Sequence, residues 1–324
     1  MMEQPDDIFA RRQQIGAPLD PKRYTAFRRL ATDPAHRLVV AFGGGSAVGL
    51  SGNVALAEIL EELELKSQVS MIWGTSAGAI VGGSWASGTP AKQMLPLVRA
   101  VQGSLDVCWL RLFTSLLLMP FGYPLPEGLI KGRRIATLID EGLTVKSFEG
   151  CSIPFRCIAI SDDGQARRTV FEQGPLLPAI YASMSLPGIF MPRPPLPNED
   201  CSHFDGGTVE KTPLRSPISE HLRSGDSRKL LLVASHFGCH GHLMPLRGFI
   251  HRFFQTMDAL AELAWPYQLA EARNYPNVVL ALLDPQIQVA KSLDFSLVEQ
   301  HYLQAREAFR DLLQDTRLAL SLGL

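Results

Sequence analysis

Residues Val69–Ile80 read Val-Ser-Met-Ile-Trp-Gly-Thr-Ser-Ala-Gly-Ala-Ile, and this stretch decides the fold. An apolar run, Met71-Ile72-Trp73, meets Gly74-Thr75-Ser76-Ala77-Gly78, and the small and apolar residues Ala79–Gly83 follow. The spacing is that of a G-x-S-x-G nucleophile elbow, a sharp turn from a strand into a helix. Turning within two residues brings chain against chain at Gly74 and Gly78, where a Cβ would clash. The turn projects the Ser76 hydroxyl outward, and the N-terminus of the following helix favours negative charge developing beside it. The plainer alternative is a tight strand–helix turn whose serine only caps the helix.

Upstream, Leu38-Val39-Val40-Ala41-Phe42 is a continuous apolar, β-branched run of the kind that forms a buried parallel strand. It runs into Gly43-Gly44-Gly45-Ser46-Ala47-Val48-Gly49, and an apolar-periodic helix is predicted from about Leu50 to Leu65. Strand, glycine loop, helix and the Val69–Trp73 strand make a βαβ unit, hence a parallel sheet. The loop fits no G-x-G-x-x-G register: from Gly43 the sixth residue is Val48, and from Gly44 the third is Ser46. A P-loop would need Lys-[Ser/Thr] after Gly49, where Leu50 stands. The better reading is a row of backbone N–H groups held near Ser76 as an oxyanion hole.

Further along, Phe155–Ser161, Arg168–Phe171, Lys229–Ala234 and Val278–Leu283 read as strands, and Pro178–Met184 as a short helix. His203-Phe204-Asp205-Gly206-Gly207 places an acid at a glycine turn. Residues 1–36 are polar, irregular and basic and are expected to be a solvated arm. The sharper reading of that arm is a contact with anionic lipid headgroups. Residues 37–285 are expected to form one unit that is catalytic if the elbow is, and 286–324 a C-terminal amphipathic helix packed on it, with Val298, Tyr302, Ala305, Phe309 and Leu312 on one face. Residues 91–130 are an apolar, cap-like segment, most apolar over Leu105–Phe121, expected to be core or cap, with an acyl-chain wall or a membrane-dipping lid as the functional reading.

The chain has 324 residues, 46% hydrophobic and 19% charged, enough for a sizeable core. A formal net charge of −1 gives no whole-molecule attraction to nucleic acid. The five cysteines lack C-x-x-C spacing and read as reduced thiols. The N-terminus shows neither a basic nor an apolar signal region, and Leu105–Phe121 is too broken for a membrane span. A cytoplasmic protein, with peripheral membrane contact left open, is the expectation. No cofactor is expected.

A serine nucleophile needs a base. The order Ser76, Asp205, then His236 or His240 permits a triad. His236, Cys239, His240 and His242 have a spacing that could ligate a metal, but no finger-like partner pair accompanies them, and no metal is expected. Four stretches taken together resemble the patatin-like phospholipase family of lipid acyl hydrolases. They are Gly43–Gly49; Gly74–Ile80; Tyr181–Phe190, which carries Ala182-Ser183 ahead of Pro187 and Phe190; and Asp205-Gly206-Gly207 with Pro213 following. In order, they cover roughly Leu38–Leu283.

The resemblance implies a three-layer α/β/α fold around a mostly parallel sheet. It implies Ser76 as nucleophile and Asp205 as base of a two-residue dyad, with an oxyanion hole from the N–H groups of Gly44, Gly45 and Ser46. The motif glycines are Gly43, Gly49, Gly74, Gly78, Gly206 and Gly207. The implied substrate is a lipid acyl ester, cleaved through an acyl-serine. The chain departs from the family where Ser46 replaces a third glycine and Val48 replaces an Arg or Lys. A Ser-His-Asp esterase of α/β-hydrolase type and a non-catalytic lipid-binding member are the alternatives.

Overall fold

The computed structural model describes residues 18–104, 106, 114–115, 117–118, 121, 127–192, 201–238, 249–287 and 295–314. Among these residues, seven strands form one sheet: β1 (His36–Phe42), β2 (Val69–Thr75), β3 (Phe155–Ser161), β4 (Arg168–Phe171), β5 (His203–Asp205), β6 (Lys229–Ser235) and β7 (Val278–Leu283). Their order is β4-β3-β2-β1-β6-β7, with β5 also paired to β3. The pairs β1–β2, β1–β6, β2–β3 and β6–β7 are parallel, while β4 and β5 run antiparallel to β3.

The apolar strands are buried on both faces, as a parallel sheet between helices requires. Leu38, Val40 and Phe42 face one core with Leu231 and Val233, and Val39 and Ala41 face the other with Leu230, Leu232 and Ala234. On the first face lie α2 (Ser46–Glu62), α3 (Ala77–Ala86), α4 (Ala91–Ala100), α5 (Arg133–Glu141) and α6 (Leu176–Met184). After α6 come the one-turn α7 (Gly207–Glu210), then α8 (Arg215–Ser224) and α9 (Phe249–Arg273). Leu214 and Ile218 of the α8 region and Trp265, Leu269 and Ala272 of α9 join the second core. This is a three-layer α/β/α architecture.

α2 begins at Ser46, directly after the glycines, and is buried all round from Ala47 to Leu60. The C-terminal helix α10 (Val298–Leu313) packs against it. Arg306, 1% exposed, reaches from α10 to Glu62 at 2.7 and 2.8 Å and lies 3.6 Å from Glu58, to which Tyr302 also bonds. A buried cation is tolerated there because carboxylates surround it.

The expectation of a polar, irregular arm needs correction over its described part. Pro21–Tyr24 is a 3-10 turn leading into α1 (Thr25–Thr32), and Tyr24, Phe27 and Ala31 are buried in the first core. Three apolar residues at helical spacing outweigh the surrounding charges, which stay on the solvent side. Residues 1–17 fall outside the described set. So does most of Leu105–Phe121, including Trp109, Leu110, Leu112 and Phe113. Of the few residues described there, Ser115 is buried, while Leu117 and Phe121 are 62% and 85% exposed. Among the described residues no helix is long and apolar enough to cross a membrane.

Candidate active site

The carboxyl ends of the parallel strands β1, β2 and β6 open on one edge of the sheet, the usual place for a site in such folds. β2 ends at Thr75, and Ser76 takes φ +54 and ψ −120 before α3 begins at Ala77. A non-glycine residue held there stores roughly 1–3 kcal/mol of strain, so its surroundings must fix it. Three contacts do so. The Ser76 carbonyl accepts from Ala79 N–H at 2.9 Å and from Ile80 N–H at 3.3 Å. Its own N–H donates to Ser183 Oγ at 3.0 Å. A Cβ on Gly78 would stand 2.0 Å from the Phe42 carbonyl oxygen, so only glycine lets α3 start this close to β1.

Asp205 arrives by sheet pairing. β4 occupies one edge of β3 at Cys157–Ile160, and β2 occupies the other up to the Thr75–Ile158 pair. The next residue of β3, Ala159, pairs with Asp205 of β5. With β4 on the far edge, β5 must continue the edge that β2 leaves, so the ends of the two strands abut. Ser76 Oγ then donates to Asp205 Oδ2 at 2.6 Å. The other carboxylate oxygen, Oδ1, accepts from Gly207 N–H at 2.6 Å. Asp205 is 4% exposed and Ser76 is half-buried.

The glycine loop passes over this pair. Gly43 is pinned at both ends: its N–H donates to Ser235 Oγ at 3.0 Å and its carbonyl accepts from Asn53 Nδ2 at 2.8 Å. Gly44 N–H donates to the Lys211 carbonyl at 2.8 Å. The expectation that Gly44 is a free oxyanion donor is therefore corrected, because a carbonyl of α7's exit already holds that proton. The N–H groups of Gly45, Ser46 and Ala77 meet no acceptor among the described residues. Ser46 stands at φ +52, so it keeps the backbone shape that a glycine would adopt at less cost. Gly49 N–H closes the loop on the Gly45 carbonyl at 2.9 Å, and Gly206 N–H lies 3.4 Å from the Ser183 carbonyl. Gly74 sits inside β2 opposite Phe42 and Cys157.

A cavity leads away from Ser76 between α3, α4 and α5, lined by Ile80, Val81, Met94, Val98, Leu138 and Ile139. Val48 lines it where the family carries a cation, and the charged residues on its described wall are Asp205, Lys211 and Asp284. Lys211 Nζ pairs with Glu262 Oε1 at 3.1 Å, and Glu262 Oε2 lies 3.5 Å from His236 Nε2. Burial works to raise the Glu262 pKa, but His236 and Lys211 together outweigh it and hold the carboxyl at about 2. His236 also meets Thr212 Oγ1 through Nδ1 at 2.9 Å and stacks on Trp265 with ring centroids 3.7 Å apart. The histidine considered for a triad is thus engaged by Thr212, Glu262 and Trp265, while the Ser76 hydroxyl meets Asp205 directly. Cys239, His240 and His242 fall outside the described residues, and among those described no cluster of His, Cys, Asp or Glu could hold a metal.

Sequence reasoning singled out Ser76, Asp205 and the loop, but not the roles of Ala77, Ser183 or Lys211. Ala77 could have been found from the elbow motif itself, in which the residue after the nucleophile supplies a backbone N–H. Lys211 acts through its carbonyl, for which no sequence signal exists.

A model described as patatin-like phospholipase matches residues 40–218. A patatin-like phospholipase domain-containing protein of Caenorhabditis elegans is 29% identical over 177 residues, 54% of this chain and 15% of that protein. The chain therefore spans only a small part of that relative's length. Among solved structures, VipD from Legionella pneumophila aligns over 86% of this chain and 67% of its own, at 12% identity and TM-score 0.41. ExoU of Pseudomonas aeruginosa, in complex with SpcU, aligns over 87% of this chain and 53% of its own, at 16% identity and TM-score 0.39.

Proposed function

This chain belongs to the patatin-like phospholipase family, whose model spans more than half of it, and from that premise we propose that it is a lipid acyl hydrolase working through Ser76 and Asp205. The observation that carries the proposal is the 2.6 Å contact between Ser76 Oγ and Asp205 Oδ2 at the head of an apolar cavity.

An ester carbonyl seated over Ser76 is attacked by Oγ as Asp205 Oδ2 takes the hydroxyl proton. A carboxylate with a reference pKa of about 3.9 is a weak base, but the proton travels along an existing short hydrogen bond. Gly207 N–H holds the other oxygen, so the carboxylate keeps its orientation during the transfer. The oxyanion forms beside the N–H groups of Gly45, Ser46 and Ala77, donors that are already in place before charge appears. Collapse expels the alcohol, which takes its proton from Asp205, and leaves an acyl-serine. Water then attacks that ester with Asp205 again the base, releasing the fatty acid. The acyl chain lies along Ile80, Val81, Met94 and Val98, where each buried CH₂ contributes about 0.8 kcal/mol.

Phospholipid, lysophospholipid and neutral acyl esters all present this carbonyl. The test is covalent labelling with a long-chain fluorophosphonate followed by intact-mass measurement. One adduct on the wild type and none on Ser76→Ala supports the reading. An unlabelled wild type that also leaves lysophospholipid and monoacylglycerol intact refutes it.

A further inference from the structure

The Tyr181–Phe190 stretch was singled out by its sequence, yet the dyad chemistry gives it no part. Ser183 lies in the last turn of α6 and has no exposed surface. Its hydroxyl donates to the Ile158 carbonyl at 2.6 Å and accepts from Ser76 N–H at 3.0 Å. A hydroxyl has a single proton. With that proton committed to Ile158, a lone pair is fixed toward the Ser76 amide.

The same helix end reaches the other half of the dyad. Asp205 N–H donates to the Ser185 carbonyl at 3.0 Å, and Gly206 N–H lies 3.4 Å from the Ser183 carbonyl. The turn is itself closed by Ser185 Oγ donating to the Tyr181 carbonyl at 2.6 Å. Ile158 and Ala159, in turn, are the β3 partners of Thr75 and Asp205. Ser183 thus stands where the nucleophile strand, the acid strand and β3 meet, bonded to β3 and to Ser76 and Gly206, the residues that follow the other two.

We propose that Ser183 is a positioning residue for the dyad: its hydroxyl holds the elbow amide while its helix end holds the Asp205 backbone, which sets the Ser76–Asp205 distance. The proposal rests on the reading of Ser76 and Asp205 as the reacting pair. Without the hydroxyl, Ser76 N–H loses its acceptor, and a buried unmet donor is unfavourable. The elbow, held at φ +54, then relaxes and carries Oγ away from the carboxylate. A displacement of about 1 Å in a reacting group costs roughly 10²-fold in rate.

The experiment compares wild type, Ser183→Ala and Ser183→Thr, each shown to be folded by its melting curve. Steady-state ester hydrolysis is measured alongside amide hydrogen exchange of the segment spanning Thr75–Ala77. Ser183→Ala is expected to lower kcat about 10²-fold with KM nearly unchanged, and to speed exchange in the elbow. Ser183→Thr, which keeps the hydroxyl, is expected to restore most of both. Wild-type kcat and unchanged elbow exchange in a folded Ser183→Ala would overturn the proposal. If the wild type hydrolyses no ester, the hydrolase reading falls and exchange alone decides the Ser183 claim: faster in Ser183→Ala supports it, unchanged overturns it. Should Ser183→Ala fail to fold, Ser183→Cys, a near-isosteric but weaker acceptor, is read by the same criteria.

Discussion

Ser76 and Asp205 are separated by 129 positions and meet within one hydrogen bond. Ser76 could be read from sequence because every feature of an elbow is local: an apolar strand, a turn of small residues, a helix. Local pattern left Asp205 as the acid of a possible triad with a histidine, since an acid at a glycine turn is common, and it took the resemblance to make it the base of a dyad. Gly44 shows the opposite failure. Its N–H looked available in sequence, but the acceptor that holds it, the Lys211 carbonyl, is distant in the chain and is a backbone atom. The N–H groups left for the proposed oxyanion hole are those of Gly45, Ser46 and Ala77. A Cβ added at Gly45 would stand 2.8 Å from Phe237 Cβ, so Gly45→Ala must shift the loop. Its kcat on a short-chain ester is expected to fall about 10²–10³-fold, the usual loss for one misplaced donor. Stopped assays on folded protein check this, and an unchanged kcat would remove Gly45 from the hole.

At the scale of elements, six of the seven described strands were legible, while β5, read only as an acid at a glycine turn, and several helices were not. Strand runs such as Leu230–Ala234 are continuous apolar stretches that alternate between two cores, so composition alone marks them. The long helix α9 was not anticipated, because Pro266 interrupts its pattern yet is accommodated inside it. α1 was hidden by the basic residues around Tyr24, Phe27 and Ala31. The reading of Leu105–Phe121 as an acyl wall falls mostly on residues outside the described set, and the described lining includes α3, α4 and α5. On this reading, rates on esters of rising chain length should climb in the wild type, by roughly 0.8 kcal/mol for each CH₂ that becomes buried. Leu138→Asn, which puts an amide in that wall, should flatten the climb while short esters are still cleaved. A wild type indifferent to chain length would deny the cavity this use.

The whole molecule is a sheet between two helical layers, with the site at the carboxyl edge and a charge bridge fastening α9 over it. Glu262 supplies that bridge to Lys211 and His236. Its carboxyl is held at about 2 in the folded protein, below the ordinary 4.5. A depressed carboxylate stabilises the fold fully above its unfolded value and loses that contribution as pH falls through the folded one. Acid denaturation between pH 4.5 and about 2 should therefore be steeper in the wild type than in Glu262→Gln. Melting temperatures measured across that window would show it, and parallel curves would mean the bridge contributes nothing. The parallel sheet was legible because βαβ connectivity leaves few alternatives, and the resemblance supplied the three layers around it. The abutment of β2 and β5 on one edge of β3 was not, since pairing partners are not written in local pattern.

That abutment supports the central claim, that Asp205 takes the Ser76 proton with no histidine between them. The most direct measurement is kcat for ester hydrolysis by Asp205→Asn, a change that keeps the shape and removes the accepting charge. Asp205→Asn is expected to lose at least about 10³-fold, approaching the loss in Ser76→Ala, in a protein that melts like the wild type. A folded Asp205→Asn that keeps its kcat within about tenfold of the wild type would contradict the claim.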